Sequence, residues 1–109
     1  MSPKEITEGK NAALIAYFTI VGSLIAMTMN MEPKNAYARF HIRQAFGIHL
    51  LFHALAIVVS FTGIAYVSPI LFVGYLILWG YGFSQAIKGK TKLLPYLGGY
   101  FQKWFTFIP

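Results

Sequence analysis

The chain has 109 residues, of which 57% are hydrophobic and only 11% are charged, whereas soluble proteins carry about 25% charged residues. A soluble domain of this length buries only about 60% of its unfolded surface, so an aqueous core could not hide this many apolar side chains. The composition excludes a small soluble domain and predicts an all-α integral membrane protein. The net charge of +6 then belongs to loops that set topology and meet anionic lipid headgroups, not to a nucleic-acid interface.

Three uncharged or nearly uncharged stretches predict three transmembrane helices in a single membrane domain over residues 1–109. The first stretch has no charged residue and would reach about 31 Å as one helix, which matches a hydrocarbon core of about 30 Å. A polar turn follows it, and the second helix begins at Ala36, with Asn35 as its cap. The predicted spans are residues 11–31, 44–67 and 70–87.

The end of the chain differs from the spans because it mixes many aromatic residues with Lys103 and the flexible pair Gly98 and Gly99. Such side chains settle at the membrane interface, so residues 93–109 are predicted to form an interfacial amphipathic segment and not a fourth span. The expected interfacial anchors are Tyr96, Tyr100, Lys103 and Trp104. A tail that packs on the neighbouring helices without touching lipid is the alternative.

The distribution of Lys and Arg predicts the orientation. With three spans, Lys4 and Lys10 lie on one side of the membrane and the other seven cations lie on the opposite side. Because positive loops stay in the cytoplasm, we expect a multi-pass protein of the bacterial inner membrane with its N-terminus outside and its C-terminus in the cytoplasm.

Small and hydroxylated residues recur at helical spacing in the first two spans. Such stripes allow close helix approach, so they predict either packing within this chain or an interface with another membrane protein. The first stripe contains Ala12, Ala16, Thr19, Ser23, Ala26 and Asn30, and the second contains His49, His53, Ala56, Ser60 and Gly63.

The histidines are the main candidates for chemistry in the spans. His49 and His53 are four residues apart, as metal ligands on one helix face would be, but no other span supplies a further ligand. They are therefore weak metal candidates, and we expect packing histidines with no metal or cofactor.

His41 belongs to a separate polar cluster at the cytoplasmic mouth, with Arg39, Arg43 and Gln44. That cluster either docks a partner's carboxylate, a lipid phosphate or the C-terminal segment, or it is an anchor in which His41 and Gln44 satisfy exposed carbonyls and hydroxyls of the C-terminal segment.

The residue types needed for catalysis are not assembled in the sequence. All three acids lie outside the predicted spans, and no nucleophile has a base and an orienting partner at a recognisable spacing. The sequence therefore predicts a protein that is not an enzyme.

The run from Phe40 to Phe46, with His41, Gln44 and Ala45 at its centre, resembles the F-H-x-x-Q-A signature of a family of small bacterial membrane proteins. That family is similar to the Tic inner-envelope import component of chloroplasts. The resemblance extends to the Ala-rich first helix, the end of the third span at Ala86–Gly89, and the aromatic segment around Pro95. It implies a helical integral membrane protein whose chloroplast relatives take part in moving precursor proteins. The chain departs from the chloroplast type in having three predicted spans where four are expected.

Together these features predict a non-enzymatic accessory subunit of a larger inner-membrane complex, in protein translocation or membrane-protein biogenesis. The expected partners are membrane lipids, including anionic headgroups, and either a larger membrane protein or further copies of this chain. A homo-oligomeric channel or small-solute transporter is the alternative, in which His49, His53 and Ser60 line a polar path. A haem-carrying electron-transfer subunit is a third and weaker hypothesis.

Overall fold

A computed structural model describes residues 2–32, 34–63, 67–94 and 97–109 of the chain. The described part is all-helical, which confirms the predicted fold class at that level. Three residues of the predicted 44–67 span and the predicted anchor Tyr96 lie outside the described residues. The helices are α1 (Pro3–Phe18), α2 (Ile20–Met29), α3 (Ala36–Ser60), α4 (Val67–Ile87) and α5 (Gly98–Trp104).

Two of these helices, α3 and α4, are long and apolar enough to cross a membrane. Helix α3 begins at Ala36, as predicted, because the Asn35 side chain accepts the backbone N–H of Ala38 at 2.9 Å and so caps the first turn. Helix α4 has 21 residues and would extend about 31 Å, close to the thickness of a hydrocarbon core.

The first predicted span is not one helix, which corrects the expectation of a continuous helix over residues 11–31. Thr19 is extended, with φ −154° and ψ 174°, and separates α1 from α2. Asn35 contacts both helices: its side chain donates to the carbonyl of Glu5 at 2.9 Å, and its backbone N–H donates to the Asn30 side chain at 2.9 Å. Glu5 and Asn30 would be about 37 Å apart in one straight helix. Helices α1 and α2 therefore form an antiparallel hairpin.

Three neighbouring residues make this turn possible. The Thr19 hydroxyl accepts the backbone N–H of Gly22 at 3.1 Å, which caps α2. At Gly22 a Cβ atom would overlap the carbonyl oxygen of Ile15, so the close approach of the two helices requires glycine at this position. Ser23 then donates its hydroxyl to the carbonyl of Ala16 at 2.8 Å. The turn is thus closed by side chains that a hydropathy plot does not register.

Helices α1 and α3 begin at one end of the molecule, called here the basal end, and α2 and α4 finish there. The Tyr37 hydroxyl near the start of α3 donates to the carbonyl of Ala86 near the finish of α4, at 2.6 Å. The Asn30 side chain donates to the carbonyl of Pro109 at 2.8 Å. The N-terminal helix and residue 109 consequently lie at the same end, whereas the three-span prediction separated the two termini.

The core occupies only the basal half of the molecule, which measures 48 × 23 × 21 Å. All nine buried residues of α3 lie between Tyr37 and His49. The three buried residues of α4 lie between Gly82 and Ala86. Residues 50–60 of α3 and 67–76 of α4, called here the outer half, contain no buried residue. Beyond His49 the fold is therefore reduced to two helices with exposed apolar side chains.

Candidate functional site

Two clusters of polar side chains lie inside the helical bundle. The first, called here the anchor cluster, consists of Tyr17, His41 and Gln44. The Tyr17 hydroxyl lies 2.7 Å from Nδ1 of His41, and Nε2 of His41 lies 2.7 Å from the backbone carbonyl of Lys90. Because a carbonyl can only accept, Nε2 donates to Lys90, and Nδ1 accepts from Tyr17 in a neutral imidazole.

Gln44 completes the anchor cluster by binding the backbone that follows α4. Its Oε1 accepts the N–H of Leu94 at 2.8 Å, and its Nε2 donates to the carbonyl of Lys92 at 3.4 Å and to Tyr17 at 3.5 Å. The side chains of His41 and Gln44 thus bind two carbonyls and one N–H of the segment that follows α4. Of these three groups, only the N–H of Leu94 belongs to the predicted C-terminal segment 93–109, and Lys90 and Lys92 precede it.

The two arginines of the predicted mouth cluster are not part of the anchor cluster. Arg43 donates from Nη2 to the carbonyls of Thr106 and Ile108, at 3.3 and 3.4 Å, and its Nε is buried without a partner among the described atoms. Arg39 lies one helical turn before Arg43 and is partly exposed. Arg43 therefore fastens the tail, while His41 and Gln44 fasten the segment that leads to it.

The second cluster, called here the tip cluster, consists of Ser23, His49, Tyr75 and Trp79 at the turn of the hairpin. The end of α1 leaves carbonyls without a helical partner, and these side chains supply donors. Nε2 of His49 donates to the carbonyl of Ala16 at 3.1 Å, and Nε1 of Trp79 donates to the carbonyl of Tyr17. Nδ1 of His49 accepts from the Tyr75 hydroxyl at 2.7 Å. Side chains of α3 and α4 thus hold the end of α1.

The hairpin reaches about half of the length that a membrane crossing requires. Gly9 of α1 lies against Asn35 and Ala38 at the start of α3. From Gly9 to Phe18 the helix rises about 14 Å, close to half of a hydrocarbon core of about 30 Å. The tip of the hairpin and His49 therefore lie near the middle of the α3–α4 pair.

The two histidines predicted as weak metal candidates do not form a paired site. Both ring nitrogens of His49 are hydrogen-bonded, which leaves none for a metal ion. His53 is exposed, and its Nδ1 donates to the carbonyl of His49 at 2.6 Å. Among the described residues no group of three or more His, Cys, Asp or Glu could hold a metal ion.

The small-residue stripes have different surroundings in the two halves of the fold. In α1 and α2, all members of the first stripe are buried except Thr19, which is exposed at the turn. They face one another across the hairpin, as the bond between Ser23 and Ala16 illustrates. In the second stripe His49 is buried, whereas His53, Ser60 and Gly63 are exposed. Only the second stripe remains open to a partner or to lipid.

The tail contains a short helix with one buried and one exposed side. In α5, the ring of Phe101 lies where a side chain at Gly47 would project, so this glycine makes room for the tail. Tyr100, Lys103 and Trp104 are exposed, as interfacial anchors would be. The Gln102 side chain donates to the carbonyl of Phe40 at 2.8 Å, which ties α5 to α3.

Sequence reasoning did not identify Tyr17, Tyr75 or Trp79 as polar partners. They stand within predicted spans, where an aromatic residue is easily counted as apolar. The available signal is position: Tyr and Trp prefer the membrane interface, so those at the centre of a span require a partner for the hydroxyl or the indole N–H.

Comparisons with known proteins found no relative of the chain. No family model matches the chain, and no curated protein or solved structure matches it either. The resemblance to the Tic-like family therefore stays a prediction from the F-H-x-x-Q-A motif.

Proposed function

We propose that the chain is an integral protein of the bacterial inner membrane with two crossings, α3 and α4, and a half-depth hairpin, α1–α2. Residues 44–87 contain no charged residue, and all nine Lys and Arg precede or follow this stretch. Since positive segments remain in the cytoplasm, the basal end faces the cytoplasm. Both termini then lie on the cytoplasmic side, in contrast to the orientation that three spans would give.

Within that membrane the chain acts as a non-enzymatic accessory subunit of a larger complex. The observation that carries this proposal is the internal use of the polar side chains in the anchor and tip clusters. Each of them binds a backbone or side-chain group of this chain, whereas a reaction site needs polar groups directed at a substrate. The clusters serve to hold the hairpin and the tail in place.

The basal surface supplies the contact with the partner. Lys88, Lys90 and Lys92 are exposed directly after α4, and Lys103 and Trp104 are exposed on α5. Cations next to an exposed aromatic ring suit an acidic, partly apolar protein surface at the level of the headgroups. A role in protein translocation or membrane-protein biogenesis rests on the motif resemblance alone.

The test is isolation of a tagged copy from its native membrane in mild detergent after crosslinking. We expect a stoichiometric complex with a larger membrane protein, and we expect this complex to be lost when Lys88, Lys90 and Lys92 are replaced by Gln. The matched control replaces Lys4 and Lys10 by Gln, which removes charge from the same end but from α1. A protein that remains a monomer without crosslinks would contradict the proposal.

The channel alternative predicts a different result in the same preparation. A homo-oligomer without other subunits, together with solute flux in reconstituted vesicles that is lost on replacing His49 and His53 by Leu, would favour it. No described contact supports a polar path, because His49 is buried and bonded on both nitrogens.

A further inference from the structure

The number of helices differs between the two halves of the membrane crossing. At the basal half, α1 and α2 pack beside α3 and α4, and all buried residues of α3 lie at this level. In the outer half only α3 and α4 continue, without a buried residue. We propose that the protein acts as a membrane wedge, which prefers and promotes curvature that makes the leaflet at its basal end convex. This inference rests on the two-crossing placement proposed above.

The exposed apolar side of α2 supports a placement of the hairpin within the leaflet and not on its surface. Val21, Leu24, Ile25 and Met29 point outward with exposures of 45 to 59%. Helix α2 carries no charged residue, so this apolar face is suited to acyl chains. With the tip about halfway along α3, the hairpin displaces lipid from one leaflet only.

The size of the asymmetry follows from helix dimensions. A helix with its side chains is about 10 to 12 Å wide and so occupies about 100 Å² of the membrane plane. Two additional helices therefore make the cross-section of the protein about 200 Å² larger in the leaflet at the basal end than in the opposite leaflet.

A groove between α3 and α4 further reduces the bulk of the protein in the outer half. The two helices leave a groove of about 420 Å³ between them, lined by apolar residues that include Leu55, Ile70 and Ile77. Gly74 also lines this groove, and a Cβ atom added there would meet nothing within 4 Å. The protein therefore presents little bulk to the outer leaflet.

The wedge keeps its shape because the hairpin is fastened at its tip and along its length. His49 and Trp79 hold the last carbonyls of α1. The ring of Tyr17 lies against Gly82 of α4, where a Cβ would approach it to 2.6 Å. Since the packed half cannot flatten without breaking these contacts, the surrounding lipid has to adapt to the protein.

The test uses the full chain reconstituted into neutral phosphatidylcholine vesicles, which removes attraction between the basic end and anionic lipid. Because the chain has no cysteine, a Ser2→Cys variant reports the side on which the basal end lies through labelling with an impermeant maleimide. We expect the fraction with the basal end outward to rise when small sonicated vesicles replace large extruded ones, since the outer leaflet of a small vesicle is strongly convex. An equal fraction in both preparations would overturn the wedge.

A second cysteine separates failure of the wedge from failure of the membrane placement. In a protein with two crossings, the fractions of Ser2→Cys and Phe61→Cys that are labelled from outside add up to the whole population, and one falls as the other rises. Outside fractions that are equal and change together would overturn the two-crossing placement. Complementary fractions that do not depend on vesicle size would overturn only the wedge.

Two glycines of α4 provide matched variants that change bulk in one leaflet at a time. A Cβ at Gly74 in the outer half or at Gly80 in the basal half would meet nothing within 4 Å, so a larger side chain can leave the helix at either position without a backbone clash. Gly74→Trp adds bulk to the outer leaflet and is expected to weaken the preference for small vesicles, whereas Gly80→Trp is expected to preserve or strengthen it. The reverse order would contradict the proposal.

Discussion

Replacing Gly22 with alanine is expected to open the hairpin between α1 and α2. The added methyl group would overlap the carbonyl oxygen of Ile15 and approach its carbonyl carbon to 3.4 Å. The obstacle is backbone and cannot rotate away, so the two helices must separate by about 1 Å to restore ordinary contact. Such overpacking costs about 1 to 3 kcal/mol.

Separation of the helices also weakens the hydrogen bond from Ser23 to Ala16, which is 2.8 Å long. Hydrogen bonds between membrane helices contribute about 0.6 kcal/mol on average. We therefore expect the Gly22→Ala variant to lose about 1.5 to 3.5 kcal/mol of unfolding free energy in total.

The assay is unfolding in mild detergent titrated with sodium dodecyl sulfate, followed by circular dichroism and by tryptophan fluorescence. Trp79 reports on the tip, because its indole N–H donates to the carbonyl of Tyr17. Gly80→Ala is the matched control, since an added Cβ there meets nothing within 4 Å and alanine favours a helix interior by about 1 kcal/mol. If Gly22→Ala and Gly80→Ala unfolded at the same detergent fraction, the close approach at the turn would be refuted.

Two further substitutions, one of them paired with a control, test the two clusters separately. His49→Leu removes one bond to α1 and leaves the Tyr75 hydroxyl without its acceptor, so it should cost about 1 to 2 kcal/mol in the same unfolding assay. His53→Leu should cost under about 0.5 kcal/mol, because His53 is exposed and bonded only within its own helix; equal losses would count against the tip cluster. Gln44→Leu should accelerate hydrogen exchange at the amide of Leu94, which loses its acceptor. Unchanged exchange there would mean that the segment after α4 is held by other contacts.

The start of α3 could be predicted from sequence because its signals are local. Asn35 is a strong capping residue, and its side chain does accept the N–H of Ala38. The polar residues His41 and Gln44 also stand out at the mouth of an apolar helix, and their role in holding the C-terminal backbone was among the alternatives that the sequence left open.

The hairpin could not be predicted in the same way, because residues 11–31 have the length and composition of a complete span. Its turn requires a single extended residue, Thr19, and the weak local signals of Thr19 and Gly22 are compatible with a helix interior as well. What stabilises the turn lies far away in the sequence: His49 and Trp79 supply the donors for the carbonyls at the tip. Hydropathy averages over a window and contains no information about such pairs.

The orientation that we propose differs from the three-span prediction because the number of crossings sets the relation between the termini. Counting cations over three spans gave a bias of seven to two. If the hairpin lies at half depth, Lys4 and Lys10 join the other cations at the basal end, and the opposite end has no Lys or Arg in residues 44–87. The proposed two-crossing placement thus agrees better with the positive-inside rule than the three-span arrangement does.

The side of the membrane on which residue 2 lies tests the account most directly. Single-cysteine variants Ser2→Cys, Lys103→Cys and Phe61→Cys can be labelled with an impermeant maleimide in intact cells and again after permeabilisation. The half-depth hairpin predicts that Phe61→Cys is labelled in intact cells, whereas Ser2→Cys and Lys103→Cys are labelled only after permeabilisation. Labelling of Ser2→Cys in intact cells, with Lys103→Cys still protected, would mean that residues 11–31 cross the membrane and would contradict the account.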